Sequence, residues 1–209
     1  YNSLNVTPTA SKGIGFDSGA DDLAATFSGG AMTFISKFTS DGSDDTATFA
    51  SGIDSTYKEY LFIFSDIHPE TDGVKFTVGF RDGSTAYDAT KTTTIFQAYN
   101  RETAATAVLS YDTGEDIAEG TGFQTLTGGD SLGSDNDQCI VGYLHLFNPS
   151  STTFVKHFIA RTNFSGNNDW SVSAFVAGYC NVTAAIDGVQ FKMDSGEIQA
   201  GTISLYGIN

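Results

Sequence analysis

Gly129-Asp130-Ser131-Leu132 is the stretch that most resembles reactive chemistry. It spells the short motif of one class of serine esterases, in which a histidine in an Asp-x-x-His block near the C-terminus activates the serine. No Asp-x-x-His follows Ser131, and that class needs helices around its sheet. The four residues therefore read as a turn in which Gly and Asp accept tight backbone angles, and no enzymatic activity is expected. His145 and His157 lie on the two arms of a predicted hairpin. One register sets them opposite each other as half of a zinc or nickel site, but no Cys, Asp or Glu is placed to complete it. Imidazoles that bond backbone and fill space are the competing reading. Two acidic loops, Asp41/Asp44/Asp45 and Asp130/Asp135/Asp137, offer oxygen ligands for Ca²⁺. Neither has the spacing of a calcium loop or its distant bidentate Glu, so solvated turn chemistry competes with a bound cation. Tyr87, Tyr99, Tyr111 and Trp170 are candidates for a sugar-stacking surface, or else for core and subunit interface.

The bulk of the chain limits these readings. It has 209 residues and a net charge of −15, from 25 acids against 10 bases. A nucleic-acid binder should show a basic face; no Lys/Arg cluster occurs, and an anionic membrane surface is disfavoured for the same reason. No apolar run reaches the length of a membrane span. Seventeen Phe and nine Tyr supply core mass, and a chain of this length needs no disulfide scaffold to fold. Cys139 and Cys180 read as small buried hydrophobes, with a disulfide as the alternative.

The elements that must position these residues are strands. Gln138 to Phe164 reads as a long β-hairpin, two runs of β-branched and aromatic residues flanking Asn148-Pro149-Ser150-Ser151. Proline fixes φ for a turn and has no N–H for a ladder, so it marks the reversal. Further strands are expected over Ala31–Phe38, Thr46–Ala50, Tyr57–Ile67, Val74–Phe80, Thr92–Tyr99, Phe123–Thr127, Trp170–Val182, Val189–Met193 and Thr202–Ile208. Arg101 to Leu109 has the alanines of a short helix, but its threonines oppose one. Tyr60 to Ile67, Gly142 to Phe147 and Phe154 to Ala160 carry apolar residues on both faces and are expected in the centre of a sheet, or with an outer face that meets a partner. Ten to twelve strands with no required long helix indicate an all-β antiparallel sandwich, jelly-roll-like, over residues 31–209. Residues 1–30 read as an extended N-terminal arm whose scattered Leu4, Val6, Ile14, Phe16, Leu23 and Phe27 would pack on the domain or on a neighbouring subunit. A floppy terminus is the alternative.

Several stretches resemble a family of bacteriophage virion proteins, common in marine phages and labelled structural or tail-fibre-like. They are Tyr60-Leu61-Phe62 with Ile67-His68-Pro69; Leu144 to Thr153 with Val155-Lys156-His157-Phe158; Val176-Ala177-Gly178-Tyr179; Ala185-Ile186-Asp187; Gln190-Phe191-Lys192-Met193 with Ser195-Gly196; and Ile203 to Ile208. The resemblance covers about Met32 to Ile208. It implies a non-enzymatic component of the extracellular virion, capsid decoration or tail fibre, that self-assembles as a homo-oligomer with other virion proteins. It supplies no catalytic residues. Asn5, Asn163 and Asn181 fit the glycosylation pattern, which in a phage protein would be accidental. The alternative function is a carbohydrate-binding module that recognises host surface glycans.

Overall fold

The computed structural model describes residues 30–103 and 107–209 in full, and residues 15–16 and 23–24 by their backbone alone. Gly15–Phe16 (β1) and Leu23–Ala24 (β2) pair antiparallel. The side chains of Leu4, Val6, Ile14, Phe16, Leu23 and Phe27, and with them the arm expected over 1–30, lie outside the described residues. The domain then runs β3 (Met32–Thr39), β4 (Ala47–Phe49), β5 (Glu59–Pro69), β6 (Phe76–Arg81), β7 (Lys91–Arg101) and β8 (Ala107–Tyr111). It continues with β9 (Gln124–Thr125), β10 (Ile140–Phe147), β11 (Lys156–Gly166), β12 (Trp170–Cys180), β13 (Gly188–Met193) and β14 (Ile198–Ile208). No helix occurs among the described residues. The protein is an all-β sandwich of two antiparallel sheets.

The larger sheet has the order β3-β14-β5-β10-β11-β12-β7-β8 and the smaller β4-β13-β6-β9. The β10–β11 hairpin is at the middle of the larger sheet, with Leu144 opposite Ala160, and β5 lies on its other side. The strands expected to be central are central. Two of them run longer than expected, β5 over Glu59–Pro69 and β10 from Ile140, and one starts later: β11 begins at Lys156, and Phe154 stands in the preceding loop, 71% exposed. The Ser151 hydroxyl accepts the N–H groups of Thr153 and Phe154 at 3.2 and 2.8 Å. That local turn uses the donors a longer ladder would need. The reversal itself forms as read, with Asn148 at φ 45° and Ser151 N–H donating to the Asn148 carbonyl at 3.0 Å. Where a short helix competed with extended chain over 101–109, β7 runs to Arg101 and β8 opens at Ala107.

Side chains alternate across a strand, so Tyr60, Phe62 and Phe64 of β5 face the smaller sheet together, all buried. Their counterpart is Phe191 of β13. Its ring centroid lies 6.2 Å from Phe49, 5.3 Å from Phe62, 5.1 Å from Phe64 and 5.7 Å from Phe76. Three of these pairs are edge-on and one is stacked, arrangements that gain beyond simple burial. Over β7, β11 and β12 the smaller sheet reaches only in part, through Phe80 of β6 on Phe158 and through the short β9. The irregular segment 112–133 covers their inner face. Thr93 donates to the Gln124 side chain at 2.5 Å, Thr162 to the Leu126 carbonyl at 2.6 Å, and Lys91 Nζ to the Gly122 carbonyl at 2.7 Å. The same segment lays Phe123 over Gly79 of β6, where an added Cβ would come within 2.6 Å of the ring.

Phe191→Ala removes the ring shared by both sheets. It should lower unfolding free energy by about 3–5 kcal/mol, read as a lower urea midpoint at unchanged slope.

Candidate functional site

The same alternation that buries Tyr60, Phe62 and Phe64 turns Leu61 and Ile63 outward, and the neighbouring strands follow. Nine large apolar side chains among the described residues are exposed. Eight of them, all but Phe154, belong to β3, β7, β8, β10 and β11 and point from the outer face of the larger sheet. The registers align six of them, all but Leu109 and Val141, in three rows. One row crosses all eight strands as Lys37, Ser204, Ile63, Tyr143, Arg161, Phe175, Phe96 and Tyr111. A second runs Phe34, Tyr206, Leu61, His145, Ile159, Ala177 and Thr94. A third has Met32, Ile208, Glu59 and Phe147 on one side, and His157, Tyr179 and Thr92 on the other.

Within these rows the side chains make a continuous aromatic surface. Phe96 and Phe175 stack at 4.8 Å with their planes 2° apart. The Arg161 guanidinium lies 4.6 Å from the Phe175 ring, a cation–π arrangement that keeps the charge at the surface while its stem covers apolar area. Phe34 meets Tyr206 edge-on at 5.7 Å. Glu59 is the one acid in the three rows, against Lys37, Arg161 and two histidines, and it is bonded to His145 Nδ1. The face is therefore neutral to weakly basic on a protein of net charge −15. Shallow depressions of ≈ 480 and ≈ 250 Å³ open on it, one beside Phe147, His157 and Tyr179, the other between Tyr143, Ile159, Arg161 and Phe175.

The residues singled out by type are placed as follows. Gly129 to Leu132 form a turn whose Leu132 is buried and bridged to Val74 and Gly166. The Ser131 carbonyl receives Asn167 N–H at 3.1 Å, and no histidine bonds its hydroxyl among the described residues. His145 faces Ile159, not His157, because the longer connection shifts the β10–β11 register by two residues.

The two acidic loops do not gather as cation sites. In the first, Asp41 and Asp44 spend carboxylate oxygens on the N–H groups of Ser43 and Asp41 in their own turn. Asp45, the third candidate there, is exposed to solvent just ahead of β4. These bonds within the loop are those of a solvated turn. In the second, Asp135 and Asp137 are separated from Asp130, which instead accepts from Gln97 Nε2 at 2.7 Å. No group of three or more His, Cys, Asp and Glu suited to a metal occurs among the described residues, so neither Asp41/Asp44/Asp45 nor Asp130/Asp135/Asp137 forms one.

The four aromatic candidates do not gather either. Tyr99 and Trp170 pack on each other at 4.4 Å against the core, Tyr87 lies beside Arg81, and only Tyr111 joins the outer face. Phe96, Tyr143, Ile159 and Phe175, which do form it, fall in strands expected from the sequence, but the face that each takes was not legible there. Their alignment in rows required the registers.

Both cysteines are free. Cys180 is inward and flanked across the sheet by Lys156 and Lys91, themselves fully buried. Each ammonium ends on backbone carbonyls, Lys91 on Thr121 and Gly122, Lys156 on Ser151 and Val182. Burial holds both lysines below the usual ammonium range. Burial of Asp130, reinforced by the charge of Asp112, raises its carboxyl above the usual range, with the Gln97 bond opposing.

No family model matches the chain, and no curated protein and no solved structure matches it either.

Burial pushes the Cys180 thiol up to about 12, against an ordinary value of about 8.5. The preference of the fold for the protonated thiol is thus fully present below about 8.5 and is lost as pH rises toward 12. The wild type should lose stability relative to Cys180→Ala between about pH 9 and pH 11, measured by urea unfolding of the two proteins side by side. At about pH 8, below the ordinary thiol value, a chromogenic disulfide reagent should leave Cys180 unmodified until the protein is unfolded.

Proposed function

We propose that the protein is a non-enzymatic structural subunit of a bacteriophage virion, and that it assembles with further copies of itself through the outer face of the eight-stranded sheet. The observation that carries this reading is the concentration of exposed apolar side chains on that one face. Three rows, roughly 7 Å apart along the strands and spanning eight strands spaced about 4.8 Å, cover on the order of 700 Å². A standard interface takes about 800 Å² from each partner. Part of that footprint is polar, but contiguous exposed apolar surface of a few hundred Å² marks interaction sites.

Charge selects the same face. Copies of a chain with net charge −15 repel each other, and the three rows are where that repulsion is least, with Arg161 and Lys37 exceeding the paired Glu59. Self-association through one patch is isologous, each copy presenting the same rows to the other. The similarity of the β5, β10–β11, β13 and β14 segments to phage virion proteins supports a particle as the setting. The apolar residues of the first 30 positions are proposed to add a second attachment by reaching onto a neighbour.

Ile159 is exposed near the centre of the face, so Ile159→Glu should leave fold and melting nearly unchanged and abolish association. Light scattering of wild type, Ile159→Glu and a chain beginning at Ala31 tests this. Oligomers are expected for the wild type, monomers for Ile159→Glu, and weakened oligomers for the shortened chain. A wild type that stays monomeric at high concentration, or an Ile159→Glu protein that assembles unchanged, would overturn the proposal.

A further inference from the structure

Beneath segment 112–133, on the inner side of β7, one buried polar group lacks a partner. Gln97 is 4% exposed, and its Oε1 accepts no hydrogen bond. A buried amide oxygen without a donor costs the free energy of its lost hydration, so the neighbours of Oε1 matter.

Those neighbours are acids. The other end of the amide, Nε2, donates to Asp130 Oδ2 at 2.7 Å. Near Oε1, the position of a Cβ on Gly128 would be 2.3 Å from Gln97 Oε1 and 2.9 Å from Asp112 Oδ2. The two oxygens are thus no farther apart than the sum of those distances. Turning the amide over does not remove the conflict. Two carboxylates thus lie about the Gln97 amide, and either orientation leaves its oxygen near one of them.

Local structure holds the three groups in place. Gly128, at φ +68°, takes a backbone conformation that side chains avoid, and its missing Cβ leaves room for the amide. Gly129 N–H donates to Asp112 Oδ2 at 3.2 Å, and Ser110 Oγ donates to Asp112 Oδ1 at 3.4 Å. Asp112 N–H donates to the Ile95 carbonyl at 3.1 Å, which ties this carboxylate to the strand that carries Gln97.

We propose that Gln97 Oε1, Asp112 and Asp130 form a Ca²⁺ site that joins segment 112–133 to the eight-stranded sheet. The donors are all oxygen, two carboxylates and an amide carbonyl, which is the ligand chemistry of a hard cation. The two carboxylate charges match the dication. Asp112 and Asp130 are partly exposed, so water can complete the six to eight ligands that Ca²⁺ takes. Mg²⁺ demands a stricter octahedron and gives up its water reluctantly, so this mixed and partly hydrated donor set favours Ca²⁺. With only two carboxylates the affinity belongs to the weak class, dissociation constants of about 10⁻⁴–10⁻³ M.

The test uses the full chain stripped with a chelator and titrated with CaCl₂ to about 10 mM, roughly ten times the weak limit, following the heat of binding and the melting temperature. The wild type should bind one Ca²⁺ and melt higher with it, and MgCl₂ at the same concentration should shift melting much less. Asp112→Asn retains the shape and the Gly129 contact, and should raise the Ca²⁺ dissociation constant at least tenfold. Asp130→Asn should act alike, and Asp44→Asn in the first acidic loop should bind as the wild type does. Circular dichroism shows whether each variant folds. A wild type without heat or melting shift up to about 10 mM Ca²⁺ would overturn the proposal. So would binding that Asp112→Asn and Asp130→Asn leave unchanged.

Discussion

The packing of Phe191 against rings from both sheets is the contact on which the rest depends. It draws Phe62 and Phe64 of β5 and Phe49 and Phe76 of the smaller sheet to one point. Because strand side chains repeat every two residues, a one-residue slip would turn every one of them to the wrong face. Burying Phe62 and Phe64 sets the register of β5. β10 and β14 pair with β5, and β11, β12, β7 and β8 follow in turn. The outer rows are the other half of that decision: Leu61 and Ile63 face outward because Tyr60, Phe62 and Phe64 face inward.

The two sheets are unequal, and the imbalance explains the long irregular segment. Four strands cannot cover eight. Segment 112–133 supplies the missing layer over β7, β11 and β12, where the sheet presents polar side chains inward: Lys91, Thr93, Gln97 and Thr162. These meet carbonyls and amides of the segment, so burial is compensated by hydrogen bonds. Lys156 does the same for the loops at Ser151 and Val182. A buried ammonium held by carbonyls alone is a costly device, and here each one tethers a loop to the sandwich. Gln97, with its oxygen set against a carboxylate, is the place in this layer where the compensation is incomplete.

Among the described residues the outer face has no such layer. Its aromatics are ordered among themselves, as the parallel Phe96 and Phe175 rings and the Arg161 guanidinium show. A preformed surface loses little side-chain entropy on association. Acidic residues lie mainly in turns and at strand ends, so a strongly anionic protein retains one face on which copies can meet.

Strand existence was legible in sequence, because it follows from local chemistry: β-branched and aromatic content in 60–67 and 140–147, and a proline that cannot join a ladder; which face of 60–67 turns inward was not, because both faces are apolar. The central hairpin was legible for the same reason as the strands. Strand order and register were not, and the errors trace to them. A register with His145 facing His157 was open because the length of the loop after Pro149 depends on Ser151 capping two backbone donors. Asp130 grouped by sequence with its neighbours Asp135 and Asp137. The structure sets it beside Gln97, 33 residues away, near Asp112. Asp41, Asp44 and Asp45 are adjacent in sequence, yet the first two turn to N–H groups of their own turn and the third to solvent. Tyr99 and Trp170 looked like a binding surface by type, and their packing against the core decided otherwise. Local alternation determines which residues can be buried or exposed. Which of them meet is decided by the pairing of strands distant in the chain, a non-local choice that no window of sequence contains.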